Sequence, residues 1–312
     1  MLVLVDSRNF GSGKQKHSRT PEPISLIPPA LAMVNLGNRS GTIYHVLDLM
    51  IIGGGKMGQA LAQGILSANV VKADSLGIVE ASESLRAELG ERFPNSVISE
   101  QPMSATSTVI AVKPGDVEKL ATSLRSESKQ RVLSIAAGIS TAAIEVWLGG
   151  RPPVIRAMPN TPAMLGLGMT ALCAGRYVGS SDMEWADLLM SAVGKAVVVK
   201  ESQIDAITAV SGSGPAYVFL VAEAMIDAAV KEGLAWDLAR ELVTQTIYGS
   251  GAMLSGSTQS PTQLRQNVTS PGGTTAAAVA ALEEAAVRAA FAAAVLRAKE
   301  RSMEITAELF KH

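Results

Sequence analysis

The sequence predicts an α/β fold in which a doubly wound, mainly parallel sheet is followed by an all-helical region. Short β-rich runs alternate with helical patterns from Val46 onward, as in chains of βαβ units. After about Ile204 the β-rich runs stop, and Ala, Glu and Leu dominate. The 312 residues, 47% of them hydrophobic, are enough for two globular domains.

The predicted strands and helices of the first part follow one another closely. The run VLDLMII begins at Val46, a helical pattern covers 59–66, LGIVE ends at Glu80, and a second helical pattern covers 85–92. Further β-rich runs cover 109–112, 132–136, 154–157 and 196–199. This alternation favours a parallel sheet covered by helices on both faces.

The second part contains three helical stretches in which Ala, Glu and Leu dominate, 216–230, 236–254 and 274–305. Many alanines allow helices to pack closely, and helices this apolar need a partner surface. We therefore expect a homo-oligomer. The predicted division is an extension at 1–45, a nucleotide-binding domain at 46–205, and a helical domain for substrate binding and dimerisation at 206–312.

Residues 1–43 mix Gly, Ser, Pro and basic residues without sustained periodicity, which favours a disordered extension. A targeting peptide and a misassigned start, with Met33 as the true first residue, are the alternatives. The opening apolar run ends at Asp6 and is too short for a secretory signal.

Composition disfavours several classes of protein. The net charge is -1, from 27 basic and 28 acidic residues, so there is no excess of cations to bind nucleic acid. Glu223 and Asp227 interrupt the longest apolar stretch, which disfavours a membrane span. The single cysteine, Cys173, cannot form an intrachain disulfide, is expected to be buried, and is compatible with the cytoplasm.

A glycine motif lies between the first strand pattern and the first helical pattern. In IIGGGKMGQA, Gly53 permits a tight turn, Gly55 allows the backbone to approach a pyrophosphate, and Gly58 lets helix and strand pack closely. The alternative is that these glycines only turn the chain. The context favours a dinucleotide site of the Rossmann type, with Lys56 and Met57 in the same loop.

Glu80 ends the next strand pattern, where an acidic side chain commonly binds the adenosine ribose hydroxyls. A carboxylate near a 2′-phosphate would repel it by roughly 4 kcal/mol, which favours NADH. Ser82 and Arg86 follow closely and could hold a 2′-phosphate if Glu80 turned aside. The sequence therefore leaves NADH and NADPH both open.

Later motifs identify a resemblance that covers roughly 47–304. They are AVKPGDV at 111–117, SIAAGIS at 134–140, RAMPNTPA at 156–163, AVSGSGPAYVF at 209–219 and, most specific, PTQLRQNVTSPGGTTAAAVAALE at 261–283. Together these motifs resemble the pyrroline-5-carboxylate reductase family, whose members reduce a cyclic imino acid to proline with NAD(P)H. The resemblance implies the last step of proline biosynthesis and dimers that assemble into larger rings.

The resemblance also implies roles for individual residues. Residues at three strand ends would contact the pyrophosphate and the nicotinamide half of the cofactor: Val112, Lys113, Pro114, Ala136, Ala137, Gly138 and Asn160. Lys113 as an ordinary surface lysine is the alternative. The turn TSPGGTT would hold the substrate carboxylate with Ser270, Gly272, Gly273, Thr274 and Thr275. The Thr275 hydroxyl would face the ring nitrogen, and helix capping by Ser270 and Thr274 is compatible with that role.

Ala286 and Val287 depart from the family pattern, which usually has Gly and Phe there. With alanine in place of the flexible glycine, we expect the helix to run on through this point.

The predicted chemistry needs neither histidine nor metal. His17, His45 and His312 lie outside or at the margins of the predicted cores, and no cluster has metal-ligand spacing. A protonated imine accepts hydride directly, so alignment of the reactants can supply most of the catalysis.

Two other functions remain open at this stage. A β-hydroxyacid dehydrogenase has a similar plan but needs a lysine on the first helix of its second domain, where this chain has none before Lys231. A non-catalytic protein that senses nicotinamide nucleotides would not need the TSPGGTT turn.

Overall fold

The computed structural model describes residues 46–125 and 130–309. The predicted extension and the three histidines lie outside these ranges. In the described part, the chain forms one eight-stranded sheet followed by a series of helices, as the sequence predicts. The strands are β1 Leu49–Ile52, β2 Leu76–Val79, β3 Val97–Ser99, β4 Ser107–Ile110, β5 Arg131–Ser134, β6 Val154–Met158, β7 Gly168–Ala174 and β8 Gly194–Val198.

The strand order is β3-β2-β1-β4-β5-β6-β7-β8. The first six strands in this order, from β3 through β1 to β6, pair in parallel. Strand β7 pairs with β6 antiparallel, and β8 pairs with β7 in parallel. The mainly parallel sheet is therefore confirmed. Strands β3 and β7 were not predicted: β3 has three residues, and β7 is a short apolar run that periodicity cannot distinguish from a helix segment.

Helices cover both faces of the sheet, and β1 shows why. Its side chains alternate between two cores, with Leu49 and Ile51 in one and Met50 and Ile52 in the other. The helices are α1 Lys56–Ser67, α2 Glu83–Arg92, α3 Val117–Ser123, α4 Thr141–Leu148 and α5 Ser180–Ser191. Residues of α1 and α5 pack in the first core and residues of α3 and α4 in the second, so the sheet is doubly wound.

The helical region begins after β8. Its helices are α6 Ile204–Ile207, α7 Gly214–Lys231, α8 Trp236–Gly256, α9 Pro261–Asn267, α10 Thr274–Glu284 and α11 Val287–Leu309. A π-helical turn, Thr208–Gly212, joins α6 to α7. Helix α11 packs back on α6, where the Ser302 hydroxyl lies 2.7 Å from Asp205 Oδ1.

A partly buried ion pair ties the sheet to the start of the helical region. Arg156 on β6 has a side chain only 7% exposed, and its Nη1 lies 3.3 Å from Glu201 Oε1. Glu201 also accepts hydrogen bonds from the main-chain N–H and the hydroxyl of Thr141, at 2.9 and 2.8 Å. One carboxylate therefore holds β6, α4 and the segment before α6 together.

The chain bends between α10 and α11 at Ala286, so the expectation of a continuous helix was wrong. Ala286 has φ 55, in the left-handed region that a Cβ makes unfavourable. The packing of α11 on α6 fixes the direction of the chain after this bend, and Arg288 forms a bidentate ion pair with Glu283 across the break. The Arg288 hydrogen bond also lowers the pKa of Glu283.

Replacing Ala286 by glycine is expected to stabilise the protein, because glycine adopts this conformation without the Cβ clash. We expect the free energy of unfolding to rise by about 1 kcal/mol and the melting temperature by about 2–4 °C, measured by thermal unfolding. Ala285 has φ -75, so Ala285→Gly is the matched control and should lower stability. Equal losses in both variants would contradict the left-handed assignment.

Candidate active site

The predicted cofactor-binding residues lie along one edge of the sheet. Gly53 follows β1, Glu80 follows β2, Val112 to Pro114 follow β4, Ala136 to Gly138 follow β5, and Asn160 follows β6. Strands β2, β1, β4, β5 and β6 are neighbours in this order. The carboxyl ends of these parallel strands form the crevice where open α/β sheets bind ligands.

The three glycines of the loop differ in their steric surroundings. Gly53 has φ +113, and a Cβ there would lie 2.5 Å from the Ala111 carbonyl oxygen. A Cβ on Gly58 would collide with the Gly53 carbonyl oxygen, so helix α1 passes directly against the loop. A Cβ on Gly55 would meet nothing within 4 Å. Gly53 and Gly58 therefore serve the fold, whereas Gly55 borders open space.

The N-terminus of α1 faces this space without a side-chain cap and without an acidic residue in its first turn. The first helical hydrogen bond runs from Gln59 N to Gly55 O, at 2.9 Å. The N–H groups of Lys56, Met57 and Gly58 precede it and, with the helix dipole, suit an anion.

Gln59 braces the loop, a role that the sequence did not reveal. Its Nε2 donates to Gly54 O at 2.8 Å, and its Oε1 accepts from Arg92 Nη1 at 2.7 Å. A glutamine in the first turn of a helix carries no sequence signal for such a role. The loop is thus held in place before any ligand binds.

A cavity of about 610 Å³ lies beside the loop. Its lining includes Gly53, Gly55, Glu80, Val112 and Lys113. The size is in the usual range for cofactor sites. Open space at Gly55, unpaired helix N–H groups and a cavity along the strand ends together fit a dinucleotide.

Asn160 joins the sheet to the helical region. Its Oδ1 accepts from Met169 N at 2.8 Å, and its Nδ2 donates to Ser211 O at 3.1 Å, on the π-helical turn. Tyr217 Oη donates to the Ala209 carbonyl of the same turn at 2.9 Å. The motif AVSGSGPAYVF thus builds a turn whose carbonyls are satisfied by side chains on both sides.

Gly138 follows β5 with φ +76 and lies against the end of α11. A Cβ there would be 3.2 Å from Leu309 Cδ1 and 3.3 Å from Ile305 Cγ2. The helical region therefore contacts the loops after both β5 and β6.

The TSPGGTT turn leads into α10, which begins at Thr274, one residue before the predicted start. Gly273 N donates to Ser270 O at 3.1 Å, and α10 has no side-chain cap, so capping by Ser270 and Thr274 is not observed. In the described ranges, no hydrogen bond or ion pair joins Pro261–Glu284 to the sheet. The turn and the strand ends are thus not linked by such bonds within one subunit.

Cys173 is buried on β7, as predicted, and desolvation raises the pKa of its thiol to about 12. The thiol therefore stays protonated and unreactive near neutral pH. Within 46–125 and 130–309, no group of three or more His, Cys, Asp or Glu side chains could hold a metal ion.

The helical region exposes many large apolar side chains. Among them are Phe219 at 63%, Leu220 at 65% and Tyr248 at 67% exposure. Others are Met225, Leu242, Met253, Leu254, Leu282, Phe291 and Leu296. An apolar surface this extensive indicates a protein contact.

A dinucleotide crevice on a doubly wound sheet, followed by helices with exposed apolar faces, defines a nicotinamide-dependent oxidoreductase of two parts. Two family models match: "NADP oxidoreductase coenzyme F420-dependent" over residues 48–138, and "Pyrroline-5-carboxylate reductase dimerisation" over residues 201–305. The chain is 39% identical over 290 residues to the pyrroline-5-carboxylate reductase of Mycobacterium tuberculosis, covering 84% of this chain and 98% of the relative. The chain belongs to the pyrroline-5-carboxylate reductase family.

Relatives from distant organisms agree with this assignment. The enzyme of that name from Arabidopsis thaliana is 38% identical, with coverage of 82% of this chain and 94% of the relative. The solved structure of the Coxiella burnetii pyrroline-5-carboxylate reductase has a TM-score of 0.78 at 36% identity, covering 84% of this chain and 99% of that one. The Plasmodium falciparum pyrroline carboxylate reductase, solved with NADP bound, gives 0.71 at 31% identity, covering 83% and 98%.

Within the described residues, one helical stretch, Glu201–Lys231, is long and apolar enough to cross a membrane by length and composition alone. It lies within the residues that the dimerisation model matches, and it contains Glu223 and Asp227. Helices at a subunit contact and core helices of soluble proteins pass the same test, so length and composition do not make this stretch a membrane span.

Proposed function

We propose that this protein reduces 1-pyrroline-5-carboxylate to L-proline by hydride transfer from NADH or NADPH, the last step of proline biosynthesis. The observation that carries the proposal is a pair of uncapped helix N-termini, at α1 beside the strand-end cavity and at α10 after the TSPGGTT turn. Each helix N-terminus suits one of the two anions in this reaction, the pyrophosphate of the dinucleotide and the carboxylate of the imino acid.

The nucleotide half of the site binds and orients the nicotinamide cofactor. The loop from Gly53 to Gly58 binds the pyrophosphate through the free N–H groups of α1. Val112, Lys113 and Pro114 border the pyrophosphate and the nicotinamide ribose, while Ala136, Ala137, Gly138 and Asn160 border the nicotinamide. A bound reduced nicotinamide supplies hydride at its C4. These residues fix the face of the ring that the imine meets, and such alignment lowers barriers by roughly 7 to 11 kcal/mol in favourable cases.

The TSPGGTT turn binds and orients the imino acid. Its free N–H groups and the positive end of α10 bind the substrate carboxylate, with Ser270, Gly272, Gly273 and Thr274 shaping the turn. The Thr275 hydroxyl hydrogen-bonds the ring nitrogen and holds its proton while the carbon is reduced. Thr275 is partly buried at the start of α10, whereas Ser270 and Thr274 are exposed.

The substrate bound at the turn of one subunit meets the nicotinamide bound by the partner subunit. Two observations on 46–125 and 130–309 support this arrangement: no polar link joins Pro261–Glu284 to the sheet, and the helical region exposes large apolar side chains. Residues 46–205 form the nucleotide-binding domain, and residues 206–312 provide the substrate turn and the dimer contact. Dimers assemble further into a larger homo-oligomer, and the protein acts in the cytoplasm.

The direct test is to mix purified protein with NADH or NADPH and the imino acid, and to follow the nicotinamide absorbance. Oxidation of the nicotinamide with formation of proline is expected. A protein that binds the nucleotide but reduces neither this imine nor the carbonyl compound that corresponds to a β-hydroxyacid would instead be the non-catalytic sensor.

Mixed subunits test the shared site. A variant defective in the nucleotide loop, Gly55→Ala, and one defective in the turn, Thr275→Val, are dissociated and reassociated together. A site shared across the dimer restores about a quarter of the parent activity, since half of the dimers are mixed and each has one intact site. No recovery, with mixed dimers demonstrated by mass spectrometry, would place both halves within one subunit.

A further inference from the structure

The carboxylate of Glu80 is fixed at the end of β2 by hydrogen bonds to both oxygens. Gly54 N donates to Oε2 at 2.9 Å, and Ser82 N donates to Oε1 at 2.9 Å. Hydrogen bonds from main-chain N–H groups to a charged acceptor are among the stronger ones in proteins. Turning Glu80 aside would leave two N–H groups without their acceptor, so the carboxylate keeps its place in the cavity wall.

The neighbouring cation, the guanidinium of Arg86, already has hydrogen-bond partners. Arg86 Nη1 donates to Glu80 O at 2.9 Å and to Ala81 O at 2.7 Å. Its Nη2 lies 3.6 Å from Glu100 Oε2, and Glu100 also lines the cavity. A guanidinium held on main-chain carbonyls and beside a second carboxylate adds little positive potential for an extra phosphate.

The nearby hydroxyl groups are also engaged with each other. Ser82 Oγ and Ser84 Oγ lie 3.0 Å apart, and Ser82 Oγ also accepts from Leu85 N at 3.4 Å as the cap of α2. Two lysines line the cavity, Lys113 and Lys119, but both follow β4. Strand β1 separates β4 from β2, so the ends of these two strands are about 10 Å apart; Lys113 follows β4 directly, and Lys119 is on α3.

We propose that Glu80 makes this protein selective for NADH over NADPH. The free lone pairs of the carboxylate accept hydrogen bonds from the adenosine ribose hydroxyls of NADH, and the same charge repels the 2′-phosphate of NADPH. The selectivity belongs to this chain's own residues, since the Plasmodium relative was solved with NADP. The inference rests on the proposed function for its cofactor class.

The test measures binding and turnover separately with the full-length protein. Dissociation constants for NADH and NADPH come from calorimetric titration without substrate, and kcat/KM values come from the imine assay. We expect NADH to bind at least about 30-fold more tightly than NADPH. Glu80→Gln keeps an acceptor for Gly54 N but removes the charge, and should lower this ratio at least about tenfold, as should Glu80→Ser.

Glu83→Gln is the matched control, because it removes one charge from the same segment outside the cavity lining and should leave the ratio unchanged. Equal or tighter binding of NADPH by the parent protein would overturn the proposal, as would a ratio that Glu80→Gln does not change. A preserved NADH preference in binding with no imine reduction would support the role of Glu80 and refute the proposed reaction instead. If neither nucleotide binds, both proposals fail.

Discussion

Replacing Gly55 by alanine is expected to abolish cofactor binding at working concentrations while leaving the protein folded. The backbone at Gly55 has φ -66 and ψ -179, which alanine adopts freely, and its Cβ would meet nothing in the protein. The methyl group would instead occupy the space through which a pyrophosphate reaches the N–H groups of α1. Loss of about two charge-assisted hydrogen bonds, roughly 3 kcal/mol, corresponds to an affinity loss of about 100-fold.

Calorimetric titration with NADH and thermal unfolding measure these two effects. Gly90→Ala on α2 is the control, since its Cβ would also meet nothing within 4 Å and alanine is the better helix former. Gly58→Ala should lower both stability and affinity, because its Cβ collides with Gly53 O. Parent-like affinity in a folded Gly55→Ala protein would mean that the cofactor does not cross this loop.

Replacing Thr275 by valine is expected to lower kcat/KM for the imine at least about 100-fold, as is typical when a group that handles a proton is removed. Valine keeps the shape and β-branching of threonine, so α10 and the turn before it should form normally. The lost hydroxyl is the group that we assign to the ring nitrogen. NADH affinity should stay within about twofold of the parent value, because the turn belongs to the substrate half.

Thr275→Ser retains the hydroxyl and should recover most of the activity, which a purely steric role would not predict. Steady-state kinetics with varied imine, together with NADH titration, separate the effects on turnover and on cofactor binding. Equal activity of the valine and serine variants would show that the Thr275 hydroxyl takes no part in the reaction.

The sequence predicted the parts of the fold that depend on local patterns. The glycine loop, the strands with clear β-rich runs and the change to helices after Ile204 each have a signal within a few residues. The structure places the predicted cofactor residues at the ends of five neighbouring strands and, for Lys56, Met57 and Gly58, in the first turn of α1, because parallel strands bring their carboxyl ends to one edge. The roles of these residues toward a ligand remain predictions.

The features that the sequence did not reveal arise from contacts distant along the chain. Ala286 adopts a left-handed conformation where the chain turns into α11, which packs on α6. Local helix propensity does not reveal that contact. Gln59 acquires its role from Gly54 and Arg92, and β7 pairs antiparallel only because its chain returns beside β6. Tertiary packing overrides local preference at each of these positions.

The side-chain amide of Asn160, which follows β6, hydrogen-bonds Met169 of β7 through its oxygen and the π-helical turn through its nitrogen. A displacement of the π-helical turn would therefore be transmitted through one side chain to the loop after β6, the segment that we assign to the nicotinamide.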